Sequence, residues 1–335
     1  PAIAASLATG AATNRDRYYG IENLTGGGGA DNLTGDANAN VLNGGNGNDT
    51  LTGGGGNDTL IGGANTDTAV FSGAVTDYSF SLVGGNLVIT DNRVGSPDGV
   101  DTLVGVERAR FAPQIDPAAY TLRIGTDGDN TFAAGAPPEL YFGFGGIDTV
   151  TYAGAAPIVA NLTTGSATNG DRYYGIENLT GGGGADNLTG DANANVLNGG
   201  TGIDTMTGGL GDDTYVINVA GDIVNEDADA GIDTVQSSFN FTLTDLDLEN
   251  LTLLAGAVSG TGNANNNVIT GNTGNNTLFG GIGDDTFNYV IGGGIDTVNG
   301  GDDNDTLMIS GAANNDVLDV IYNGTVLTTV EGGAV

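Results

Sequence analysis

The chain is predicted to be all-β, a stack of very short parallel strands, and three observations carry that prediction. A nine-residue unit runs in phase from Gly26 to Val70 as GGGGADNLT, GDANANVLN, GGNGNDTLT, GGGGNDTLI and GGANTDTAV. Each unit puts one apolar residue at its eighth position, flanked by residues that need not be buried: Leu33, Leu42, Leu51, Leu60 and Ala69 in turn. Finally, 62 of 335 residues are glycine, with no three-residue period that would suggest collagen. The last three residues of a unit read as a minimal strand whose middle side chain faces inward and whose neighbours face out. One such strand buries too little to stand alone. Stacked at about 4.8 Å, parallel copies give a continuous core with the loops aligned in columns along its edges.

The elements follow in order. Thirty residues, DRYYGIENLTGGGGADNLTGDANANVLNGG, occur identically at Asp16 to Gly45 and at Asp171 to Gly200, which marks a tandem duplication. The second copy opens a series from Gly181 to Val216 whose inward residues are Leu188, Leu197, Met206 and Tyr215. A third series runs from Gly262 to Asn288, resumes at Ile291 and closes at Met308. Between series, YSFSLVGGNLVITD at Tyr78 to Asp91 has two alternating runs around a glycine pair and predicts a β-hairpin. The arginines near it, Arg93, Arg108 and Arg110, are expected to pair with surface acids. Pro137 and Pro138 mark a hinge or loop. The organisation read from these signals is a first block over 1–72, a small β connector over 73–124 and a short degenerate segment over 125–155. A second block over 156–218, a β connector over 219–260, a third block over 261–310 and the start of a further β element over 311–335 complete it. The chain opens on Pro1, partway into a repeat unit, and reads as an interior piece of a longer protein.

The unit also carries chemistry. Glycines at positions 1, 2 and 4 allow positive φ and close backbone approach, so six residues can curl until their carbonyl oxygens converge. Position 6 adds a carboxylate. Oxygen donors of both kinds at the reach of one loop suit a hard cation of flexible geometry, which describes calcium better than zinc or magnesium. The bland reading, in which these aspartates merely terminate turns, weakens wherever two consensus loops stack.

With its GGxGxDxUx units the chain resembles the RTX (repeat-in-toxin, hemolysin-type calcium-binding) family. That resemblance implies a right-handed parallel β-roll in which two units make one turn and calcium lies between loops two units apart. Carried onto this sequence, it puts Asp31, Asp49 and Asp67 in one column and Asn40 with Asp58 in the other. In the second series it pairs Asp186 with Asp204 and Asn195 with Asp213. In the third, Asn267, Asp285 and Asp305 face a column of Asn276 and Asp296. Asparagine keeps an oxygen but loses a charge, so the sites of Asn40, Asn195, Asn267 and Asn276 are expected to be weaker or empty. Asp101, Asp148 in GGIDTVTY and Asp233, in isolated copies, stand even between ligand and turn residue, and Asp148 is kept as a candidate ligand. Glu22 and Glu177, in the IENLT segments that open the first two blocks, are candidates for a first calcium or for solvated end caps.

Composition narrows the partners. The formal charge is −34, from 41 acids against 7 arginines and no lysine, which disfavours nucleic acid and anionic membranes. The chain has no cysteine or histidine, so thiol catalysis, histidine zinc sites and Ser-His-Asp triads are excluded, and without lysine the glycine runs are not Walker loops. No apolar run approaches the length of a membrane-spanning helix. The expected protein is therefore not an enzyme in this chain. It is expected to be the calcium-binding structural or adhesive repeat region of an exported cell-surface protein, such as an S-layer, filament or adhesin. Its partners would then be calcium and either identical copies in a lattice or filament or cell-surface glycans. The alternative is the calcium-dependent secretion and folding region of an enzyme, a protease or lipase, whose catalytic domain lies elsewhere. Under either, the resemblance implies type I secretion and an extracellular location.

Overall fold

The computed structural model describes residues 2–13, 16–112, 119–136, 138–154, 156–226, 230–290, 296–310 and 327–331. Pro137 and most of the expected element over 311–335 lie outside them. Among the described residues, apart from one 3-10 turn at Val75–Asp77, the regular structure is strand, most of it three to six residues long. The chain divides into two compact units, Pro1–Asp148 with Asn169–Ile176, and Thr149–Thr168 with Glu177–Val335.

In the first unit alternate nonads feed alternate sheets, so strands eighteen residues apart pair in parallel. Leu33 sits beside Leu51 and Leu51 beside Ala69 in one sheet, while Leu24, Leu42 and Leu60 line up in the other. Leu42, Leu51, Leu60 and Ala69 are fully buried, and the threonines beside them are half-buried, as the one-in, two-out pattern requires. Each such leucine contributes about 1.5–3 kcal/mol of burial. The expected hairpin forms from Tyr78–Val83 and Asn86–Asp91, turning through Gly84 and Gly85 at φ 59° and 80°. Beyond it the ladders resume: Leu103 pairs beside Leu60, and Ala109 beside Ala69. Phe71 stacks on Phe111 at 5.1 Å, and Phe80 packs against Phe142 and Tyr174 at 4.8 and 4.7 Å, so this end of the core is aromatic.

The second unit repeats the plan. Its inward ladder runs Val150, Leu179, Leu197, Tyr215, Val235, Leu251, Ile269, Phe287 and Leu307, each beside the next in parallel register. The stretch over 219–260 therefore continues the stack rather than interrupting it. Its strands Ile223–Asn225, Thr234–Ser237 and Asn250–Leu253 occupy rungs of the same ladders.

Candidate metal centres

The loops that join these strands draw each position-6 side chain back beneath its own position-1 glycine. An added Cβ on Gly53 would overlap the Asp58 carboxylate, and the same holds for Gly44 with Asp49 and Gly280 with Asp285. That space must stay empty of side chain because a carboxylate and a neighbouring turn's carbonyl already face it. Gly62 O, for example, lies 2.7 Å from the Cβ that Gly44 lacks.

Each position-6 aspartate described below spends one oxygen on the previous turn. Asp49 Oδ1 accepts the Asp31 N–H and Asp67 Oδ1 the Asp49 N–H, both at 2.7 Å, while Asp58 Oδ1 accepts the Asn40 N–H at 2.7 Å. In the second unit the same bond joins Asp204 to the Asp186 N–H, Asp213 to Asn195, Asp285 to Asn267, Asp305 to Asp285 and Asp296 to Asn276, at 2.7–3.1 Å. The side chains thus stack in two alternating columns. Asp148 joins a shorter column, accepting the Asn130 N–H at 2.7 Å.

The second oxygen distinguishes the loops. Oδ2 of Asp49, Asp58, Asp67, Asp204, Asp213, Asp233 and Asp285 is buried with no hydrogen-bond partner among the described residues. A buried carboxylate oxygen left so costs stability unless positive charge meets it. Burial accordingly pushes the carboxyls of Asp58 and Asp285 up to about 6 and that of Asp213 to about 7, and raises those of Asp67, Asp204, Asp233, Asp296 and Asp305 in the same direction. Oxygen-only donors, carboxylate and carbonyl, around an unmet negative charge fit a hard cation such as calcium.

Asparagine loops close differently. Asn40 Oδ1 accepts the Asp36 N–H at 2.8 Å and its amide donates to the Glu22 carbonyl at 2.8 Å. Asn195 does the same with Asp191 and the Glu177 carbonyl, both at 2.7 Å, and the Asn267 and Asn276 amides reach the carbonyls of Leu248 and Ala257. An N–H₂ therefore meets the carbonyl that would face an ion. Glu22 and Glu177 enter through these carbonyls; the Glu22 residue is exposed and Glu177 half-buried. Asp31 and Asp186, first in their series, are also satisfied locally, Oδ2 accepting the Gly27 and Gly182 N–H groups at 2.7 Å.

A third kind of loop is filled by arginine. Arg123 pairs with buried Glu139 at 2.6 Å, and its guanidinium fills the space a Cβ on Gly135 would need. Arg93 bridges Asp91 at 2.7 Å and Asp98 at 3.1 Å beneath Gly73, holding the Asp91 carboxyl down to about 2. Pairing with acids was expected of Arg93, but two of those acids are buried rather than at the surface.

Reading by nines also undervalued several acids. Asp101 accepts the Asp58 N–H across the 43 residues that include the hairpin, and Asp233 accepts that of Asp213. Glu107, Asp222, Asp171 and Glu249 cap Asp67, Asp204, Glu139 and Asp233 in the same way. The available signal was the dipeptide Asp-Thr before an apolar residue, shared by Asp49, Asp58, Asp101, Asp148, Asp233 and Asp285.

A parallel β-roll whose stacked loops present unmet carboxylates defines a calcium-binding repeat protein. The family model for the RTX calcium-binding nonapeptide repeat (4 copies) matches residues 18–51, 34–69, 173–206, 180–215 and 261–289, so these segments of the chain carry RTX calcium-binding repeats. Among solved structures, the extracellular lipase LipA from Serratia marcescens aligns at 16% identity and a TM-score of 0.26, over 72% of this chain and 33% of the lipase. The chain thus spans about a third of that structure's length. No curated protein matches it.

Proposed function

We propose that this chain is the calcium-folded structural or adhesive region of an exported cell-surface protein, with Asp49, Asp58, Asp67, Asp148, Asp204, Asp213, Asp285, Asp296 and Asp305 as its principal ligands. Asp31 and Asp186 complete the first turns, and the Asn40, Asn195, Asn267 and Asn276 loops stay weak or empty because an amide already meets their carbonyls. The observation that carries the reading is the recurring buried Oδ2 with no partner. In the calcium-free chain these carboxylates repel one another within a molecule of formal charge −34 and disfavour the compact state. Calcium, when bound, supplies the positive charge the loops lack, and because the unfolded chain presents no such loops, its binding free energy becomes folding free energy. A chain that stays open where calcium is scarce and closes where it is millimolar suits export followed by folding outside the cell. Exact duplication of thirty residues supports a structural or adhesive role, since added turns lengthen a stack without altering any one site. Circular dichroism during calcium titration, reversed with EDTA, tests the core of the reading: β signal should rise with calcium and fall with chelation, and a calcium-indifferent spectrum would refute it.

A further inference from the structure

One loop departs from the glycine rule. Strand Ile223–Asn225 lies parallel to Thr205–Thr207 with Asn225 beside Thr207, so the next residue, Glu226, stands one turn above Gly208 at position 1. A Cβ on Gly208 would run into the Asp213 carboxylate and the Tyr215 hydroxyl, which shows where a side chain at that position points. Five sequence steps separate Gly208 from Asp213, but seven separate Glu226 from Asp233. Carboxylate oxygens of Asp213, Glu226 and Asp233 lie within 4.8 Å of one another. Asp213 and Asp233 are each 1% exposed, and Oδ2 of both has no hydrogen-bond partner among the described residues. The Tyr215 hydroxyl accepts the Gly208 N–H at 2.7 Å and donates to Glu226 Oε1, fixing that carboxylate against the pair.

We propose that Asp213, Glu226 and Asp233 form a three-carboxylate cation site, the tightest in the chain, in which Glu226 supplies a ligand that no regular nonad has. The proposal rests on the calcium-dependent reading above. Calcium affinity rises with ligand charge and with the rigidity of the site. This site has one more carboxylate than two stacked position-6 aspartates provide, and a buried tyrosine holds it in place.

Terbium, a hard trivalent stand-in for calcium, tests the site because tyrosine sensitises its luminescence and Tyr215 touches a ligand. In titrations of the full chain, the first ion bound should give tyrosine-sensitised emission. Glu226→Gln should weaken that step by about tenfold or more. Tyr215→Phe, which keeps all three carboxylates, should remove the sensitised emission of the first step while calorimetry still finds the ion bound. An unchanged first step in Glu226→Gln overturns the proposal, as does undiminished first-step emission in Tyr215→Phe. Circular dichroism on the same samples separates the two levels: a wild-type spectrum indifferent to calcium refutes the wider reading, and a responsive one with an unaltered first terbium step refutes this site alone.

Discussion

Asp58→Asn separates what calcium gives this fold from what the carboxylate takes away. In the folded chain Asp58 is 2% exposed, and burial pushes its carboxyl from the ordinary 3.8 to about 6. A displacement of that size costs the calcium-free fold about 3 kcal/mol at pH 7. Asparagine removes that cost and keeps an Oδ1 for the Asn40 N–H, which Asp58 accepts at 2.7 Å. Its amide can also meet a loop carbonyl, as Asn40 does at Glu22. The loss is an ion worth about 2.7 kcal/mol when calcium stands at 100 times its dissociation constant. The variant should therefore be more stable than wild type in EDTA by about 2–3 kcal/mol, and in millimolar calcium should lose that advantage. Urea denaturation followed by circular dichroism in both buffers measures the two differences. If the variant is no more stable than wild type in EDTA, or if its gain from calcium is undiminished, the unmet Oδ2 is not a calcium ligand and the reasoning fails.

Three further outcomes follow from the same geometry. Asp49→Ala leaves the buried Asp31 N–H without its acceptor, at about 1–3 kcal/mol in either buffer, and also removes a carboxylate shared by stacked loops, so its calcium-dependent loss should exceed that of Asn40→Ala; equal or reversed losses in paired denaturation curves contradict the column assignment. Acid should partly replace calcium. Burial raises Asp58, Asp101, Asp213 and Asp285 to between about 6 and about 8, so the folded state holds protons more tightly than the open chain. That contribution is complete below the ordinary 3.8 and is lost as pH rises through the folded values. β signal in EDTA should accordingly grow as pH falls from about 8 towards about 4, and a decline would be decisive against the raised values. Arg123→Gln strips buried Glu139 of its cation and should cost about 1.5–3 kcal/mol equally with and without calcium; a loss that calcium repairs would mean the ion can enter that loop.

How far the chain could be read in advance depended on whether the period survived. Leu33, Leu42, Leu51 and Leu60 recur every nine residues, and their burial follows from that spacing, while their alternation between sheets was implied by the resemblance to the RTX family. The hairpin was equally plain, because Gly84 and Gly85 supply the positive φ its turn needs. Asp101 and Glu107 were not, since 43 and 40 residues separate them from the turns they cap at Asp58 and Asp67. A solenoid fixes spatial register by strand pairing and tolerates loops of any length between rungs, so sequence distance ceases to measure height once a hairpin is inserted. The filling of a loop was harder still to foresee. Arg123 reaches Glu139 from a neighbouring strand, and Glu226 takes a glycine's place, and neither breaks a pattern visible in the nonad.

These differences have an order along the chain. Amide-closed turns stand near the start of each series, at Asn40, at Asn195, and at Asn267 and Asn276, and the turns with an unmet Oδ2 follow them. Each asparagine also offers its backbone carbonyl to the next rung, accepting the N–H of Thr59, Thr214, Thr286 and Thr297 in turn. Stacking adds each turn to one already formed, whose hydrogen bonds offset part of the new turn's closure cost. A turn whose amide meets a carbonyl of the preceding turn joins the two before any ion arrives, whereas an aspartate turn there would add an unmet charge. Copying the segment from Asp16 to Gly45 therefore copies an amide-closed turn, at Asn40 and again at Asn195, ahead of the turns of Asp49 to Asp67 and of Asp204 to Asp213, whose Oδ2 atoms are unmet among the described residues.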